Sequence, residues 1–118
     1  MLPTYFLIGG INLTITEVRI MVIFCYCTQL KEVAIYQNRS VNTIYGEAKK
    51  IYAKLNVAGC VEMHRFSILN GLRNNGYVQG HYLFDQNQKM PWKHEIVMQL
   101  MFDFEQVGMG SEAKDFRR

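Results

Sequence analysis

An all-α fold is what this chain predicts: four short helices, then a C-terminal extension that carries a fifth. Three observations point there. Apolar residues recur at helical spacing in successive segments, small polar residues stand where those segments begin, and clusters rich in Asn and Gly separate them. A length of 118 residues fits one domain, or a small domain with an appendage. The apolar fraction, 49%, is ordinary for a globular protein, so disorder is not expected.

Residues 1–12 read as a lead segment. Its apolar start has no basic n-region and breaks at Gly9-Gly10, so it is not a secretory signal. The first helix follows Leu13. Asn12 or Thr14 can cap it, and Glu17, three residues after Thr14, completes a capping box. Val18, Met21 and Cys25 then share a face. The run VIFCY is β-branched and aromatic, yet the cap and the spacing favour helix. A second helix fits Gln29–Tyr36, burying Leu30, Val33 and Ala34, and QNRS breaks it. Ser40 then caps a third helix over Val41–Leu55, whose apolar line is Ile44, Ala48, Ile51, Tyr52 and Leu55. A fourth fits Val61–Leu72, with Val61, Arg65, Ile68 and Leu72 at helical spacing, and Gly76 closes it.

Residues 74–118 form the extension. GYVQGHYLFDQNQKMP reads as a loop or a short hairpin around Gln79-Gly80. Pro91 then opens a fifth helix with an apolar stripe of Ile96, Val97, Leu100, Met101 and Phe104, stopped by Gly108. That helix either covers the small core or meets a second subunit through Trp92, Met98, Met101 and Phe102.

Charge narrows the function. The net charge of +3 is small, but residues 31–54 alone hold five basic against two acidic side chains, a local +3. Residues 84–118 come to −1. The positive field thus lies on the second and third helices, where a phosphate-binding surface is expected. Catalysis finds little support: His64, His81 and His94 are scattered, without a nucleophile or carboxylate pair beside them. Cys25, Cys27 and Cys60 lack zinc spacing and read as free thiols in a reducing cytoplasm. No cofactor, metal, small-molecule substrate or membrane segment is expected; the apolar run Ile20–Cys27 is too short to span a bilayer.

Two short helices joined by a polar turn, the second carrying lysines, suggest a helix-turn-helix. The residues go further. Leu13-Thr14 with Glu17 and Ile20-Met21, then KEVA (Lys31–Ala34), SVNTIY (Ser40–Tyr45) and KKIYAKLNV (Lys49–Val57) resemble, without a gap, the LuxR/GerE-type DNA-binding domain of bacterial transcription regulators. The resemblance implies a four-helix domain at residues 13–73 that binds double-stranded DNA in the cytoplasm, as a homodimer or as a heterodimer with another regulator. It implies base-edge contacts from Tyr45, Gly46 and Lys49. It implies phosphate contacts from Lys31, Ser40, Asn42, Thr43, Lys50 and Lys54. Subunits would meet on the fourth helix, at Val61, His64, Arg65 and Ile68. A second expectation is a co-regulator that docks on a related regulator and touches DNA weakly. Departures from the family pattern are Gln37 where leucine is common, Arg39 where an aliphatic residue is common, Cys27 where glycine is frequent, and Glu47 on the recognition helix. The twelve residues before Leu13 leave no room for a receiver or sensing domain, so a complete chain would take its control from elsewhere.

Overall fold

The computed structural model of the chain describes residues 1–94. Their elements run β1 (Tyr5–Ile8), β2 (Ile11–Thr14), α1 (Ile15–Phe24), α2 (Leu30–Gln37), α3 (Val41–Leu55), α4 (Cys60–Leu69), β3 (Tyr77–Val78) and β4 (His81–Tyr82). The fold is therefore mixed: two antiparallel two-stranded hairpins flank the helices, and the all-α expectation is overturned.

The first hairpin overturns it most directly. Gly9 and Gly10 both take positive φ, +55° and +80°, the conformation of the tight turns whose twist matches paired strands. Phe6 pairs with Leu13 and Ile8 with Ile11, and Phe6, Ile8 and Leu13 are buried while Tyr5 and Leu7 face out. Residues 1–12 thus supply core rather than a lead. A side chain at Gly9 would strike Phe66 and Asn70, so this turn lies hard against the end of α4. Thr14 closes β2 and caps α1 at once: its hydroxyl accepts from the Glu17 N–H at 3.2 Å, and its own N–H donates to Glu17 Oε1 at 2.8 Å.

α1 is the centre of the molecule. Glu17, Val18 and every residue from Ile20 to Phe24 are buried, so the helix is apolar on nearly all sides, as a core helix must be. On α2, the Glu32 carboxylate accepts from Thr28 and Gln29 before the first turn. That helix ends on Asn38 at φ +53°, and α3 ends on Asn56 at φ +56°; asparagine tolerates the left-handed region at both exits. Ser40 caps α3 as the sequence predicts, accepting from the Thr43 N–H at 3.1 Å.

α4 turns a different face inward than its spacing suggests. Met63 and Ser67 are the buried pair, while Val61, Arg65 and Ile68 face out. Ser67 tolerates the core because its hydroxyl donates to the Met63 carbonyl at 2.8 Å.

The extension folds back over α1. β3 and β4 turn at Gln79-Gly80, both at positive φ, so the hairpin alternative holds. Leu83, Met90 and Trp92 are buried, and Arg19 of α1 donates to the Leu83 carbonyl at 2.7 Å. The Trp92 ring packs on Phe84 (4.9 Å between centroids) and Tyr26 (5.6 Å). Trp92 therefore covers the chain's own core. Pro91–His94 are helical; the remainder of the predicted fifth helix, with Met98, Met101 and Phe102, lies outside the described residues. No helix of the described residues is long and apolar enough to cross a membrane.

Candidate nucleic-acid interface

Ile44, Ala48, Ile51 and Leu55 recur every three or four residues and anchor α3 in the core. The opposite side of the helix follows from that spacing: Asn42, Tyr45, Gly46, Lys49 and Lys50 are all exposed. Lys49 has no ion-pair partner among the described residues. Lys50 lies 3.5 Å from Glu47 in an exposed i, i+3 pair, a contact too weak to hold it from a stronger anion. Glu47 itself sits on the flank of α3 rather than on its crest, and Lys50 screens it.

Lys54 is placed differently from the other cations. Its ammonium donates at 2.8 Å to the buried carboxylate of Glu17, thirty-seven residues earlier, so its charge completes the Thr14 capping box from outside. Burial alone would push the Glu17 carboxyl up. The Lys54 hydrogen bond and charge, with the Thr14 N–H, prevail and hold it below its ordinary value.

The turn before α3 adds what the sequence reading had only counted. Lys31, Ile35, Asn38, Arg39, Ser40 and Val41 line an open groove of about 550 Å³ between α2 and α3. Arg39 stands there as an exposed cation beside the α3 N-terminus. Its charge was visible in the local excess over residues 31–54; its position depended on the turn. Ser40 and Thr43 are exposed, with their hydroxyls 2.7 Å apart and engaged in the cap. Asn42 is exposed beside them in the first turn of the helix, a setting that favours phosphate.

Gln37, the last residue of α2, is half-buried. It shares a small polar pocket with Arg19, Asp85 and Gln88, and Gln88 donates at 2.9 Å to the Tyr36 carbonyl at the end of α2. The extension thus buttresses the back of the turn.

On α4, Val61 (69% exposed), Arg65 and Ile68 form an outward face, and Leu69 (77% exposed), which the spacing did not single out, joins it. His64 is half-buried with its ring edge-on to Phe24 at 5.5 Å, so it belongs partly to the core. Burial pushes the Cys25 and Cys27 thiols up to about 12, which leaves them protonated and inert. Among the described residues no group of three His, Cys, Asp or Glu side chains could hold a metal ion. No known protein family, curated protein or solved structure matches the chain.

Proposed function

We propose that the chain is a sequence-specific DNA-binding transcription regulator that reads the major groove of a duplex with α3. One observation carries the reading. A helix anchored by four buried residues turns a face of Asn42, Tyr45, Gly46, Lys49 and Lys50 to solvent, with Lys31 and Arg39 at its N-terminal approach. Such a face combines phosphate-neutralising cations with groups that can meet base edges. The four sequence blocks that resemble the LuxR/GerE-type domain support the same assignment, since they fall on the end of β2, α1, α2 and α3 in the required order.

The phosphate-contact set in this proposal is Lys31, Arg39, Ser40, Asn42, Thr43 and Lys50, with Lys54 reassigned to the fold because Glu17 holds it. Dimerisation on α4 uses Val61, Arg65, Ile68 and Leu69, an apolar and basic strip that two copies can share about a two-fold axis.

The test is selection of the purified full chain on random duplexes at two salt concentrations. Enrichment of a two-fold symmetric site is the expected result, with Lys49→Ala lowering affinity for it by about 1–3 kcal/mol and relaxing preference at one base pair. Retention without any enriched site would refute sequence-specific reading and leave docking on a related regulator through α4 as the function to pursue.

A further inference from the structure

We propose that α3 recognises thymine by its C5-methyl group, through an exposed apolar patch of Val41 and Tyr45 that Ile35 of α2 completes. The inference rests on the duplex-binding reading above and names what that surface selects.

Val41 and Tyr45 stand one turn apart and so share a side of α3. They are 39% and 45% exposed. Ile35, 76% exposed, lines the same groove as Val41, together with Lys31, Arg39 and Ser40. The fold makes no demand for hydrocarbon at these positions, because α3 is already anchored by Ile44, Ala48, Ile51 and Leu55. Three apolar side chains are therefore held in water within a frame of cations: Lys31 and Arg39 on one side, Lys49 on α3.

That frame selects a polyanion, and the patch inside it selects a polyanion with hydrocarbon on its recognised edge. In the major groove the base edges offer one such group, the thymine methyl. Hydrogen-bonding capacity on α3 points the same way. The helix has no arginine, so the bidentate guanidinium–guanine pairing is absent from it, and Lys49 with the Asn42 amide supplies most of its polar reach. Discrimination by methyl contact is worth about three- to fivefold per methyl removed from water.

The experiment uses the full chain and the duplex it retains from the random pool. Each thymine is replaced singly by 2′-deoxyuridine, which keeps every hydrogen-bonding group and lacks only the methyl. Expected is a loss of about three- to fivefold at one or two positions in each half-site. That loss should shrink in Val41→Ala or Tyr45→Ala and nearly vanish when both are combined, where the methyl has lost most of its partners. Both side chains are exposed, so the variants should melt with the parent, and Val41→Ser, which removes both γ-methyls, offers a second route to the same cycle. A selected duplex on which every uracil is silent overturns methyl reading and leaves DNA binding standing, as does a uracil penalty that persists unchanged in both alanine variants. Failure to retain any duplex refutes the DNA-binding reading itself, and this inference with it.

Discussion

Glu17 and Lys54 meet at 2.8 Å with the carboxylate buried, and removing either leaves the other in trouble. Lys54→Ala should cost about 1–3 kcal/mol of stability, read as a lower urea midpoint, because it strands a buried charge. The pH dependence has a definite sign. The folded carboxyl lies below its ordinary value of 4.5, so the unfolded chain binds the extra proton first, and the contribution present above that value is lost as pH falls through and beneath it. Urea midpoints taken from neutral pH down to about pH 3 should drop more steeply for the parent than for Glu17→Gln. Gly46 has the opposite character. A Cβ there would meet nothing within 4 Å, and the backbone is ordinary helix, so Gly46→Ala should raise stability by about 1 kcal/mol. If α3 enters a groove, the same change lowers duplex affinity, and a variant that is both more stable and equally tight would count against Gly46 as a point of close approach.

Elements differ in how plainly the sequence announces them. α3 was legible to the residue, because Ser40 is a strong cap and the four anchors repeat over about three turns. The first hairpin was not. Each strand has four residues, too few for alternation to stand out, and a glycine pair that ends an apolar run looks the same whether it breaks the segment or turns it. α4 misled through a polar residue: Ser67 goes inward because its own helix satisfies it, so the apolar residues on the other side are the exposed ones. Among candidate site residues, exposure on α3 followed from periodicity, whereas the capture of Lys54 by Glu17 depended on packing between distant segments. The buried strand predicts its own test. Phe6→Ala should destabilise the protein by about 3–5 kcal/mol in thermal or urea melts, although Phe6 lies outside everything that resembles a helix-turn-helix.

At the scale of the molecule, Lys31, Arg39, Lys49 and Lys50 stand exposed on α2, the turn after it and α3, while Leu83, Met90 and Trp92 of the extension are buried in the core. Duplex affinity should fall steeply with salt, and Lys50→Ala should reduce the slope of log K against log salt by about one unit. Lys54→Ala, folded and at equal concentration, should leave that slope unchanged, since its ammonium already faces a carboxylate. Titrations at four or five salt concentrations separate the two variants directly.

The sheathing of α1 also has a consequence for how the chain is made. β1 pairs with β2 near the start of the chain, but Leu83, Met90 and Trp92, which belong to the same buried core as α1, come far later in the sequence. During synthesis, then, the almost wholly buried helix α1 emerges early and waits for some seventy residues before Trp92 joins its core. Until Trp92 is made, every nascent chain carries an unfinished, adhesive surface, and nascent chains stalled or truncated before that residue should be bound by chaperones and prone to aggregate, whatever the state of the helices already formed.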